Sequence, residues 1–184
     1  MPGALAQRGE YYLGRIRGNL GEAAIGTEIV APTILVSDRL ELDLGRRRLI
    51  LRAHGPAHTD NDLTVLDEQT RTLWLSDLLF VDRIPVIDGS LVGWLKELDG
   101  LTALSADRAV PGHGPAAVEW PAAVSPEQRY LEAVASGTRA AIQAGIGIAN
   151  AYRQVANSER GHWLLFDEYH PRNVTASYKE LEWE

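Results

Sequence analysis

Three short segments each place a candidate metal ligand where a predicted strand ends. His58 lies in the string PAHTDNDL, Asp77 in LSDLLF and His113 in VPGHGP. Loops that leave strand ends commonly host functional sites, because the strands hold them rigidly. Neutral imidazole and carboxylate bind zinc at about 2.0–2.2 Å. These residue types and positions therefore suit a zinc site.

Each of the three residues also has an ordinary structural explanation when it is taken alone. His58 could end a turn or bond a neighbour, Asp77 could cap the turn that follows its strand, and His113 could be an incidental loop residue. The surroundings of His113 favour a fixed side chain, because two glycines allow close backbone approach and two prolines stiffen the loop.

The order of the three segments resembles that of the metallo-β-lactamase superfamily. The strings P-A-H-T-x-x-D-L, L-S-D-L-L-F and V-P-G-H-G-P follow one another over residues 54–115, as the family's motifs do after its opening HxHxDH signature. The resemblance implies a two-zinc hydrolase in which His58 holds one metal, Asp77 bridges both and His113 holds the second. It also implies an α/β fold, the αβ/βα sandwich, and water attack on an ester, thioester, lactone or amide of a small-molecule substrate.

The C-terminal segment narrows this resemblance. The strings H-P-R-N-V-T-A-S-Y and E-L-E-W-E, within residues 170–184, look like the end of the quinoprotein relay system zinc metallohydrolases. That subgroup implies a link to pyrroloquinoline-quinone-dependent catabolism. From the residues themselves, the segment predicts only a helix with Asn173 as its cap.

The family's first metal motif is missing from the sequence. No two histidines are separated by a single residue, so the sequence contains no HxHxDH. In the family, that motif supplies ligands to both metals and the Asp that orients the nucleophilic water. A catalytic zinc needs about three protein ligands and an open position, so three residues shared between two metals predict weak binding and little or no hydrolysis. We therefore expect an N-terminally truncated domain, through a truncated gene, a mis-called start codon or a deliberate cut.

The strands that carry the three segments follow from the hydrophobic periodicity. An alternating pattern predicts one β-hairpin over residues 40–51 and a second over residues 63–75. A short strand is expected at residues 108–110. Helical spacing predicts a helix over residues 4–24, which corresponds to the region just after HxHxDH in the family.

The remaining helices are predicted from their start and stop signals. A helix follows Gly89, with Ser90 as its cap and Gly100 as its stop signal. The next covers residues 125–145, with Ser125 as N-cap and Glu127 as a favourable first-turn charge. Further helices are predicted over residues 146–156 and from Asn173 onward.

Composition narrows the classes of function. The length of 184 residues suits one domain, so we expect a single metallo-β-lactamase-like domain over residues 1–184, with its motif core at 34–115 and C-terminal helices at 125–184. Eighteen basic against 25 acidic residues give a net charge of -7, which argues against a nucleic-acid partner. The absence of cysteine excludes thiolate zinc ligands.

Localisation and partners follow from what the sequence lacks. A helix that spans a membrane needs about 20 consecutive apolar residues, and no apolar run in the sequence comes close to that length. The N-terminal residues do not have the pattern of a secretory signal. We therefore expect a cytoplasmic protein with no membrane partner, while a periplasmic location stays open for the full-length family. Half of a sandwich would expose an apolar sheet face. We therefore expect the chain to form a homodimer through that face, to recruit a partner or to aggregate.

Two further matters stay open at the level of sequence. His54 fits either a residue that orients the His58 loop or a plain turn residue, and His162 and His170 fit structural or solvent-facing positions. The alternative to a metal-dependent hydrolase is a non-catalytic remnant or partner-binding domain that keeps the scaffold.

Overall fold

The computed structural model describes residues 2–184, with side chains from Arg8 onward. The chain divides into two compact units, of which the first ends at Ser37 and the second is Asp38–Glu184. In the first unit, helix α1 covers Pro2–Leu20 and a 3₁₀ turn covers Gly21–Ala24. The predicted helix over residues 4–24 is confirmed, and Gly21, at a φ of 54°, ends its α-helical part.

The second unit is built around one six-stranded mixed sheet. Its strands, in both chain order and spatial order, are β1 Arg39–Asp43, β2 Arg48–Ala53, β3 Leu63–Asp67, β4 Thr72–Phe80, β5 Arg108–His113 and β6 Val118–Glu119. Only the β4–β5 pair is parallel within this sheet. Both predicted hairpins are confirmed. Strands β4 and β5 run further than predicted, and they therefore include Asp77 and His113.

Helix α2, Leu91–Thr102, connects the two parallel strands, which a hairpin cannot join. The predicted Ser90 cap is confirmed, because its hydroxyl accepts a hydrogen bond from the Gly93 N–H at 2.9 Å. The predicted stop at Gly100 is wrong, since the helix continues to Thr102. Leu98 and Leu101 are buried on either side of Gly100, and this packing outweighs a glycine cost of about 1 kcal/mol.

Three predictions about the C-terminal helices are wrong. Helix α3 is Ser125–Gln143, so Ser125 is its first residue and no side chain caps it. The helix predicted over residues 146–156 is reduced to α4, Ile148–Ala151. Helix α5 is Phe166–Leu181, so Asn173 lies in its interior rather than at its start. No helix among residues 2–184 has both the length and the hydropathy needed to cross a membrane.

The core lies on one face of the sheet. Leu73, Leu75 and Ala109 are fully buried there, in one cluster with residues of α2, α3 and α5 such as Trp94, Leu131, Val134, Val174 and Leu181. Side chains alternate between faces along a strand, so a second row of residues points the other way. This apolar row runs across five strands and is half-buried; it consists of Leu40, Leu51, Val65, Trp74 and Val110.

Candidate metal centre

The three predicted ligands come together at one end of the sheet. The Nε2 atom of His58 lies 3.6 Å from Oδ2 of Asp77, and the Nε2 atom of His113 lies 3.6 Å from Oδ1 of the same carboxylate. His113 is the last residue of β5, as a strand-end ligand should be. Asp77 instead lies within β4, and His58 lies in the loop between β2 and β3. The carboxylate is thus placed between the two imidazoles, one oxygen to each.

The arrangement consists of two pairs that share Asp77. Among the residues that the structure describes, no group of three His, Asp or Glu side chains converges to hold a metal ion. A distance of 3.6 Å is too long for a hydrogen bond. It is close to the about 3.4 Å that separates two ligand atoms on a tetrahedral zinc with bonds of about 2.0–2.2 Å. Each pair therefore has the spacing of two ligands on one metal ion.

The orientation of His58 is decided by its other ring nitrogen. Nδ1 lies 2.7 Å from the carbonyl oxygen of Val86. Because a carbonyl oxygen can only accept, Nδ1 carries a proton, and in the neutral form of the ring Nε2 presents a lone pair to Asp77. Two acceptors then face each other, a pairing that a cation between them would resolve. This is the arrangement expected of a ligating histidine whose second nitrogen is held by the protein.

Aromatic rings surround the buried imidazole of His58. Its ring centroid lies 5.6 Å from that of Phe80 and 5.4 Å from that of Trp94, and only 11% of its side chain is exposed. Phe80 also stacks on His113, at 4.7 Å between centroids and 25° between planes. One ring therefore contacts both imidazoles and limits their movement.

The loop that carries His58 is anchored at its start by His54. The buried ring of His54 is 2.8 Å from Glu97 of α2 through Nδ1 and 2.8 Å from Thr64 of β3 through Nε2. The suggestion that His54 orients this loop therefore has a structural basis. Glu97 was not predicted as part of the site, since it is far from His54 in sequence and no local pattern links the two.

The same loop is packed closely against two glycines. A Cβ atom built on Gly93 would lie 2.0 Å from the carbonyl oxygen of Pro56, and one built on Gly89 would lie 2.5 Å from that of Ala57. The Ser90 N–H donates to the Ala57 carbonyl at 2.9 Å. The start of α2 thus holds the main chain on the N-terminal side of His58.

Asp77 is presented by an irregular part of β4. The pairing of β4 with β5 changes register at Ser76, whose φ of 50° is unusual for a residue with a side chain. A Cβ on Gly112 would lie only 2.0 Å from Oδ1 of Asp77. The close backbone approach predicted for the His113 loop is therefore confirmed at Gly112, and its reason is the carboxylate opposite.

His113 borders an open groove. Its side chain is 44% exposed, and its carbonyl oxygen accepts a hydrogen bond from the Val81 N–H at 2.9 Å. The groove has a volume of about 540 Å³ and is lined by Arg83, Pro115 and Leu164 among others. A small molecule in this groove would lie beside His113.

The sequence was compared with models of known protein families. A family model described as the metallo-beta-lactamase superfamily matches residues 2–113. The chain belongs to the metallo-β-lactamase superfamily. The match ends at His113 and does not include the C-terminal segment. No curated protein matches the chain at a significant level.

Solved structures share the fold at low sequence identity. A stereoselective inverting sec-alkylsulfatase from Pseudomonas sp. superposes with a TM-score of 0.66 and 13% identity, over 83% of this chain and 27% of that one. A metallo-β-lactamase family protein from Thermus thermophilus superposes with a TM-score of 0.62 and 18% identity, over 99% of this chain and 60% of that one. A β-lactamase domain protein from Burkholderia ambifaria superposes with a TM-score of 0.63 and 14% identity, over 84% of this chain and 47% of that one. The chain thus spans from about a quarter to three fifths of the length of these structures, and the likeness shows the fold alone.

Proposed function

We propose that this chain carries one part of the metal centre of a zinc-dependent hydrolase, with His58, Asp77 and His113 as its ligands. The observation that carries the proposal is the position of the Asp77 carboxylate, which offers one oxygen towards each imidazole Nε2. Asp77 in that position would hold metal together with either histidine. The Nδ1–H donation of His58 to Val86 supports the proposal, because it leaves Nε2 free to bind.

Zinc at such a centre lowers the pKa of a bound water to about 7 and polarises the bond under attack. The residues of this chain have supporting tasks. Asp77 and the two histidines would hold the metal, and Phe80 contacts both imidazoles and keeps them in place. The groove beside His113 accepts the substrate, a small molecule with an ester, thioester, lactone or amide bond. The C-terminal resemblance extends the proposal to a role in quinoprotein-dependent catabolism.

A metal titration tests the ligand assignment. Purified chain freed of metal is titrated with Co²⁺, whose visible spectrum reports the type and number of ligands, and its zinc content is measured after dialysis. We expect weak binding in the wild type, because the three ligands are shared between two positions. Asp77→Ala should abolish the signal, because it removes the ligand common to both pairs.

The matched control is Asp60→Ala, which removes an exposed carboxylate from the loop that carries His58. This variant should bind Co²⁺ as the wild type does. An Asp77→Ala protein that binds as well as Asp60→Ala would contradict the ligand assignment. A wild type with no affinity for either metal would instead favour the alternative, a non-catalytic domain that keeps the scaffold.

A further inference from the structure

The carbonyl of Val86, which orients His58, lies on a piece of chain outside any helix or strand. Residues 84–87 have no assigned secondary structure, so no strand pairing holds this carbonyl in place. Its position nevertheless matters, because the hydrogen bond from His58 Nδ1 at 2.7 Å depends on it. Main-chain hydrogen bonds hold the residues on either side, from the Ile84 N–H to the Leu164 carbonyl and from the Asp88 N–H to the His58 carbonyl, each at 3.1 Å. Residues 85–87 between them are held by a side chain.

Asn173 of α5 provides this side chain, from the C-terminal part of the chain. Its Nδ2 donates to the carbonyl oxygen of Pro85 at 2.7 Å, and its Oδ1 accepts from the N–H of Ile87 at 3.1 Å. The side-chain amide thus bonds the residues immediately before and after Val86. A single planar group with both ends bonded fixes the course of the chain between them.

Asn173 is in turn held by a chain of buried hydrogen bonds. Its Nδ2 also donates to the hydroxyl of Tyr130, at 3.0 Å. His170 Nε2 lies 2.9 Å from the Val155 carbonyl and must donate to it, so His170 Nδ1 accepts from the Tyr130 hydroxyl at 3.0 Å. Tyr130 and Asn173 are fully buried and His170 is 1% exposed. Every hydrogen of this network has a defined acceptor, which makes it rigid.

We infer that Asn173 is a positioning residue for His58, because it holds the Val86 carbonyl that sets the orientation and tautomer of the imidazole. The network formed by Tyr130, His170 and Asn173 lies in the interior of the unit and does not touch Asp77 or His113. Burying such polar groups costs free energy unless each is bonded. Each polar group of this network is bonded, so the hydrogen bonds themselves compensate its burial. The value of this positioning for metal binding rests on the proposed function.

The test is the tautomer of His58, which is observed without metal. Long-range ¹H–¹⁵N correlation spectra distinguish a ring protonated at Nδ1 from one protonated at Nε2, and the His58 signals are assigned by their loss in His58→Ala. The wild type should be in the Nδ1–H form. Asn173→Ala should populate the Nε2–H form, and if the wild type binds Co²⁺ the variant should bind it about tenfold more weakly or worse.

Val174→Ala is the matched control. Val174 is the neighbouring residue on α5 and is fully buried, but it belongs to the apolar cluster. This variant should lose stability while the tautomer of His58 stays as in the wild type. A tautomer shift equal to that of Asn173→Ala would mean that any loosening of α5 has the same effect, and would overturn the inference.

Tyr130→Phe provides a second variant that keeps the ring and the fold. It removes only the hydroxyl that braces Asn173, so the Ile87 amide should exchange its hydrogen faster and the tautomer of His58 should shift in the same direction by a smaller amount. Unchanged exchange at Ile87 and an unchanged tautomer in both network variants would refute the positioning role. Because these readouts are made without metal, they are independent of whether the proposed zinc centre exists.

Discussion

The close contact between α2 and the His58 loop makes a sharp prediction about two glycines of one helix. A Cβ on Gly93 would lie 2.0 Å from the Pro56 carbonyl oxygen and 3.0 Å from the Ser90 hydroxyl, which caps the helix. A Cβ on Gly100 would have no atom within 4 Å. Both glycines lie within Leu91–Thr102, so the gain in helix propensity on substitution by alanine is similar for the two.

The magnitudes follow from these distances. Gly100→Ala should raise the free energy of unfolding by about 0.5–1 kcal/mol, the usual benefit of alanine over glycine in a helix. Gly93→Ala has the same benefit, but its Cβ would lie 2.0 Å from the Pro56 carbonyl oxygen, so the Pro56 main chain must move by about 1 Å or more. Overpacking of that kind costs about 1–3 kcal/mol. The net result should be a loss of up to about 2.5 kcal/mol relative to the wild type.

Urea denaturation followed by circular dichroism measures both values under the same conditions. Because Pro56 precedes the ligand loop, Gly93→Ala should also change the chemical shifts of Ala57 and His58, whereas Gly100→Ala should leave them unchanged. A Gly93→Ala protein as stable as Gly100→Ala, with unchanged shifts in that loop, would refute the idea that glycine is required here for close packing.

Two further predictions concern the core and the apolar row. Glu127 is fully buried, and one of its oxygens accepts from the Phe80 N–H, while the other has no hydrogen-bond partner among the described residues. Burial raises the pKa of its carboxyl well above 4.5. The folded state therefore binds the carboxyl proton more tightly than the unfolded state does. As the pH rises above 4.5, the wild type should lose stability relative to Glu127→Gln, by up to about 1.4 kcal/mol per pH unit until the pKa of the folded state is passed. Equal pH profiles of the two proteins in urea unfolding would show that the carboxyl titrates normally. We propose that a second copy of the chain covers the apolar row. Light scattering should then give twice the monomer mass for the wild type and the monomer mass for Leu51→Lys. The control Arg52→Ser, which changes the opposite face of the sheet, should also give twice the monomer mass. A monomeric wild type would rule out this homodimer.

Local rules succeeded where the deciding interactions are close in sequence. The Ser90 cap depends on the N–H of Gly93, within the same turn, and the two hairpins depend on alternating residues next to short turns. The rules failed where distant packing decides. Glu127 was predicted to be a favourable charge at a helix start, yet its side chain is buried beneath β4.

The start of α5 shows the same limit. The sequence predicts a helix from Asn173 onward, with Asn173 as its cap. In the structure the helix includes Pro171, because Phe166 and His170 are buried one turn apart and hold the earlier turn against the core. The polar side chain of Asn173 is therefore used inside the protein, where it bonds residues 85 and 87 rather than its own helix.

The sequence by itself determined the candidate ligands, their order and the family, because these depend on residue types in short motifs that can be recognised without coordinates. Only the tertiary structure decided that the Asp77 carboxylate lies between the two imidazoles, since the three residues come from separate elements. The parallel pairing of β4 and β5 brings Asp77 and His113 together, and the loop between β2 and β3 brings His58 to the same carboxylate. The tertiary structure also decided which nitrogen of His58 faces the site. The other nitrogen donates to the main-chain carbonyl of Val86, and a main-chain acceptor cannot be predicted from a pattern of side chains.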